Sequence, residues 1–133
     1  MYETLILVAP SSSIHDDHVA SALAQLYPES NSPSPTITNK GSYYCISWPQ
    51  FTFELGLSKL PHVIEESKEI ADQFAKGLPQ QDLIAQCFSR VELVGDDDPE
   101  MQYFNDYCYI VEAIEKLGTV FTFDQGSCKF MNL

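Results

Sequence analysis

Positive charge is scarce in this chain. Seven lysines and arginines face nineteen aspartates and glutamates, for a formal net charge of −12. So negative a body repels phosphate backbones and anionic lipid headgroups, so neither nucleic acid nor a membrane is an expected partner. Histidine is sparse too, with three residues. No glycine-rich loop follows the first apolar run, which argues against a dinucleotide-binding fold, and no GxSxG elbow is present. The four cysteines, Cys45, Cys87, Cys108 and Cys128, are spaced too widely for paired zinc ligands or a dense disulfide scaffold. Reduced thiols and a cytoplasmic location are the expectation. The opening apolar run, Thr4 to Ala9, is too short for a signal core or a membrane span, and it lacks a basic flank.

What the chain does contain is the material of a self-sufficient core. Of its 133 residues, 44% are hydrophobic and 20% charged, ordinary proportions for a globular domain. The run at 4–9 reads as a buried strand. Val19, Ala22, Leu23 and Leu26 recur at helical spacing, predicting a helix over about 14–27, opened by a Ser13–Asp16 capping box and stopped by Pro28. Three prolines and three serines make 28–35 a loop. Strands follow at 36–38 and 43–48. Phe51, Phe53, Leu55 and Leu57 then alternate with Thr52, Glu54, Gly56 and Ser58, the pattern of a strand with one face on a core.

A second helix begins near Pro61, with Val63, Ile64, Ser67, Ile70, Ala71 and Phe74 on one side and Gly77 at its end. A short helix at 79–88 leads to a strand at 90–94. An aspartate cap before Pro99 and Glu100 predicts the start of a third main helix, which runs to Leu117. Residues 120–131 read as a hairpin. The expected fold is α+β: a mixed, largely antiparallel sheet packed against three main helices, in one domain spanning 1–133.

The negative charge is concentrated. From Glu92 to Glu115 there are eight acidic side chains and no lysine or arginine. Such a segment favours a basic protein partner, whose encounter it would accelerate; the bland alternative is a housekeeping domain whose acidity only confers solubility. Asp96, Asp97, Asp98, Glu100 and Asp106 are the candidate steering and rim residues. Phe104 and Tyr109, at the border of the helix's apolar stripe, are the candidate anchors. The aspartate run is no calcium loop: Met101 stands where the loop needs glycine, and Tyr107 where it needs a bidentate glutamate.

A competing reading is a metal-dependent enzyme or small-molecule binder built on His15, Asp16 and His18, because two imidazoles three residues apart share a helical face. Without a nucleophile–base arrangement or a phosphate cradle, the expectation is a non-enzyme with no catalytic residues, no resident metal and no cofactor. Of the consecutive pair Tyr43 and Tyr44, an extended backbone exposes one and buries the other.

The C-terminal half, from Asp97-Asp98-Pro99 through Phe104-Asn105-Asp106-Tyr107 to Phe123-Asp124-Gln125-Gly126 and Phe130, is similar to small acidic bacterial proteins, some of which resemble immunity proteins that neutralise a cognate toxin. The resemblance implies a non-enzymatic inhibitor that occludes a basic toxin's active site by charge and shape.

Overall fold

The computed structural model describes residues 1–28 and 34–133. Among the described residues eleven elements follow one another: β1 (Tyr2–Val8), α1 (Asp16–Leu26), β2 (Thr36–Asn39), β3 (Tyr44–Trp48), β4 (Phe51–Ser58), α2 (His62–Phe74), α3 (Gln81–Ala85), β5 (Ser89–Gly95), α4 (Phe104–Glu115), β6 (Val120–Asp124) and β7 (Lys129–Phe130). The strands form one seven-stranded sheet in the order β2-β3-β4-β5-β1-β6-β7, and every neighbouring pair is antiparallel. The fold is therefore α+β, as its intermixed strand and helix patterns predict.

Helices cover both faces of this sheet. On the first face, Ile6, Val8, Ile46, Phe53, Leu55, Val91 and Leu93 meet Val19 and Leu23 of α1 and Tyr107, Ile110, Val111 and Ile114 of α4. On the second, Leu5, Leu7, Phe121 and Phe123 meet Ile70 and Ala71 of α2 and Ile84 of α3. The uninterrupted apolar run of β1 follows from this: a strand buried on both sides has no solvent face to alternate with. Strand β4 alternates because α2 and α3 lie over the other half of the sheet. Its Thr52, Glu54, Gly56 and Ser58 line its less covered side, where an open groove of about 530 Å³ holds Glu54, Gly56 and Ser58 with Tyr43, Leu60, Glu92 and Val94.

Several boundaries differ from the sequence reading, the short helix α3 among them, which spans Gln81–Ala85 rather than 79–88. Helix α1 starts at Asp16, and the backbone N–H of His15 donates to Nδ1 of His18 at 2.9 Å; this imidazole fills the role expected of the Ser13–Asp16 pair. Helix α4 starts at Phe104 rather than at Pro99, because Met101 adopts a left-handed backbone with φ 56° that a continuous helix cannot include. At the other end of the chain, β7 is only two residues long. Asn132 carries the pairing of β6 further, since its Oδ1 accepts from the N–H of Thr122 and its Nδ2 donates to the carbonyl of Val120. Part of the 28–35 loop, residues 29–33, lies outside the described residues. Among the described residues, no helix is long and apolar enough to cross a membrane, and the four cysteines are free thiols.

Candidate functional site: the acidic end of the sheet

The acidic candidates gather where β5 ends, β1 begins and the chain turns into α4. With so few cations available, the fold satisfies most of these carboxylates with phenols and backbone N–H groups. Asp96 extends the β4–β5 ladder by one step. Its N–H donates to the carbonyl of Thr52 at 3.3 Å, and its Oδ2 accepts from the N–H of Thr52 at 3.0 Å. Asp98 closes the turn before α4. Its Oδ1 accepts from the N–H of Gln102, and its Oδ2 accepts from the N–H of Tyr103, both at 2.9 Å, and from the hydroxyl of Tyr2 at 2.7 Å. Desolvation alone would raise this carboxyl's pKa, but the donors from Tyr2, Tyr103 and Gln102 outweigh it and hold it below the usual carboxylate value. Asp106, in the first turn of α4, accepts from the Tyr27 hydroxyl at 2.6 Å and so ties α4 to the end of α1.

Asp97 and Glu100 are left facing outward. The Asp97 side chain is 88% exposed and, among the described residues, meets only the α-amino group of Met1, at 3.3 Å. Glu100 accepts one bond from the Gln102 side chain, at 3.2 Å. The two flank a shallow concavity of about 120 Å³ with Gln50, Pro99 and Gln102. Among the described residues, no lysine or arginine side chain lies within ion-pair distance of Asp96, Asp97, Asp98, Glu100 or Asp106. Of the acids between Glu92 and Glu115, Glu92 alone meets an arginine, Arg90, which it binds on the second face of the sheet.

Phe104 and Tyr109 are both exposed, at 39% and 52%, but they do not form one patch. Five positions apart on α4, they project about 140° from each other. Phe104 leans toward the Tyr107 ring, at 6.1 Å between centroids. Tyr109 stands on the outer surface. Phe104 therefore belongs with the acidic turn, and Tyr109 with the outward side of α4.

Behind the acidic turn lies an aromatic block that the sequence does not single out as a unit. Phe51 stacks on Tyr103 at 4.3 Å and 13°, Trp48 meets Tyr103 at 5.1 Å, and Tyr2 stacks on Tyr107 at 4.6 Å. These rings come from β1, β3, β4 and the start of α4, so no local spacing could announce them. They hold Tyr2 and Tyr103 where Asp98 needs its donors. Of the tyrosine pair, Tyr44 is buried and Tyr43 is exposed, the split that extended geometry requires.

The same phenol–carboxylate pairing recurs at α1. The Tyr44 hydroxyl donates to Asp16 at 2.9 Å. With Asp16 engaged there and His18 Nδ1 engaged by the His15 N–H, two of the three groups of the His15/Asp16/His18 constellation already have partners. The imidazoles of His15 and His18 lie 5.5 Å apart on the surface, and among the described residues no group of three or more His, Cys, Asp or Glu side chains is placed to hold a metal ion.

The tyrosine bonds carry a pH signature. Desolvation first, and then the bonded carboxylate, raise the phenol pKa of Tyr2, Tyr27 and Tyr44. A phenol whose pKa is higher in the folded state stabilises the fold fully below its unfolded value, near 10, and that contribution is lost as pH rises further. Denaturant midpoints should therefore fall above about pH 10. Replacing Tyr27 with Phe should cost about 1.5–3 kcal/mol at neutral pH, the worth of one hydrogen bond to a charged acceptor, and make the alkaline fall shallower. Urea titrations of both proteins from about pH 7 to about pH 11, a range that brackets the phenol's ordinary value, check this; an unchanged alkaline slope would count against the Tyr27–Asp106 bond.

No family model matches this chain, and neither a curated protein nor a solved structure does.

Proposed function

We propose that this chain is a non-enzymatic protein-binding domain whose acidic end, at the β5–α4 turn, docks a basic surface of another protein. In its specific form the reading is an immunity-type inhibitor, in which the acidic end covers the cationic active site of a toxin. The observation that carries the proposal is the charge balance at this turn: Asp97 and Glu100 point outward, and among the described residues the α-amino group of Met1, 3.3 Å from Asp97, is the one cation within ion-pair distance of them or of their neighbours Asp96, Asp98 and Asp106. A field of this kind raises encounter rates with a cationic partner and contributes to register at the rim. Phe104, beside the same turn, supplies apolar area at which such a contact can anchor. Rigidity supports the reading as well, because Asp96 and Asp98 are fixed by backbone donors and the aromatic block stands behind them.

The division of labour among the carboxylates decides which variants test the idea. Asp98 and Asp96 hold the turn together, so their replacement mixes binding with folding. Asp97→Lys with Glu100→Lys reverses charge at the outward pair and leaves those bonds untouched. Immobilised wild-type protein should retain a basic partner from native lysate at low salt and release it at high salt. The double variant should retain at least about tenfold less, since like charges facing each other cost several kcal/mol. Equal capture by both proteins at low salt would sink the acidic-end reading.

A further inference from the structure

We propose that β2 is a self-association edge, at which two copies of this chain pair β2 against β2 across a two-fold axis and join their sheets. The two terminal strands of the sheet differ in extent, β7 being two residues long and β2 four. Beyond β6, the outward groups of Val120 and Thr122 are taken up by Asn132, the N–H of Met131 and β7. Beyond β2, no described residue pairs with the strand, which is the terminal member of the sheet. The N–H of Lys40 donates to the carbonyl of Tyr43, which makes 40 and 43 a hydrogen-bonded pair. By antiparallel alternation Thr38–Cys45 and Thr36–Ser47 are hydrogen-bonded pairs as well, so the N–H and C=O of Ile37 and Asn39 point away from β3.

That spacing is self-complementary. With Thr38 on the axis, Ile37 of one copy faces Asn39 of the other, and each of the two Ile37–Asn39 pairs exchanges both of its outward bonds.

Charge selects the second copy as the occupant. The chain carries −12, so two copies repel over most of their surfaces. From Ser30 to Phe53, however, there is no aspartate or glutamate, and Lys40 is the only charge. This is the segment that builds β2, β3 and the start of β4. Edge strands are normally protected from pairing by charges along them. β2 has none within Thr36–Asn39, and the side chain of Thr38 is exposed beside the uncovered half of the second face.

This contact is independent of the acidic-end reading, and its salt response is opposite. Screening should strengthen a dimer of like-charged copies, whereas it weakens capture of a basic partner. The test is sedimentation velocity on the purified full chain over a wide concentration range, at low and high salt, with Thr38→Glu and Thr38→Val. Wild type should show a concentration-dependent dimer that gains population with salt. Thr38→Glu places two carboxylates opposite each other on the axis and should weaken it by at least about tenfold, with an unchanged circular dichroism spectrum and, at a concentration where both proteins are monomeric, an unchanged melting temperature. Thr38→Val, β-branched and uncharged, should dimerise like wild type. Hydrogen exchange should find the Ile37 and Asn39 amides slow in wild type at high concentration and fast in Thr38→Glu. A monomer at every concentration and salt, or a dimer indifferent to Thr38→Glu with those amides exchanging freely, would overturn the proposal.

Discussion

Phe53→Ala should cost about 3–5 kcal/mol, the range for removing a fully buried aromatic side chain, and lower the melting temperature by roughly 10–20 °C. Phe53 is wholly inaccessible. Its ring lies 4.8 Å from that of Phe51, 5.5 Å from Tyr2, 6.0 Å from Trp48 and 6.5 Å from Tyr107. It is thus the common neighbour of the aromatics behind the acidic turn, and its loss removes contacts on four sides at once. Gly95 makes room for it: a Cβ at that position would sit 2.7 Å from two Phe53 ring atoms and 2.9 Å from a Tyr2 ring atom. Gly95→Ala should therefore destabilise the wild type by about 1–3 kcal/mol through overpacking. In the Phe53→Ala background the added methyl meets the space the ring has left and only the Tyr2 contact at 2.9 Å remains, so the same change should cost less than in the wild type. A double-mutant cycle by urea denaturation measures this coupling; additive effects would mean that the ring and Gly95 do not share a boundary.

Much of this core is legible in the sequence, because it is written at short range. The alternation of Phe51, Phe53, Leu55 and Leu57 with polar neighbours places the four apolar side chains on one face of β4, where they are found packed beneath α1 and α4. The stripe of Val63, Ser67, Ile70 and Ala71 on α2 is likewise the side that is buried. The acidic segment is visible as composition, but not what its members do. Asp98 is fixed in part by Tyr2, ninety-six positions away, and Asp106 by Tyr27, seventy-nine away; no local period relates such partners. A run of three aspartates before a proline looks like one helix cap. In the structure it is three separate functions: a strand extension at Asp96, an outward charge at Asp97 and a turn closure at Asp98. Phe104 and Tyr109 both flank the apolar stripe, yet the helical turn between them sends them to different sides. The edge at β2 is legible only as a gap in the acid pattern, which acquires meaning once the strand is seen to end the sheet.

The single arginine should show an asymmetry that charge counting does not anticipate. Arg90 lies on the second face of β5, between Leu7 and Ser58 in the strand register, with its side chain 5% exposed. Nε and Nη2 meet Glu92 at 2.8 and 2.7 Å, and Nη1 meets Glu66 of α2 at 2.9 Å. The two carboxylates are far more accessible, at 39% and 43%. Truncating both, Glu66→Ala with Glu92→Ala, strands a buried guanidinium without a counter-charge and should cost about 3 kcal/mol or more. Arg90→Met keeps a long apolar stem in the same place and leaves two carboxylates that water can reach, so it should cost about 1 kcal/mol or less. Combining all three changes should recover most of the loss, because the uncompensated charge is gone. Urea denaturation of the single, double and triple variants at one ionic strength tests the order. If Arg90→Met proves the most damaging of the three, then the arginine acts as the ionic link that holds α2 to β5, and the view of it as a buried charge kept tolerable by two glutamates is wrong.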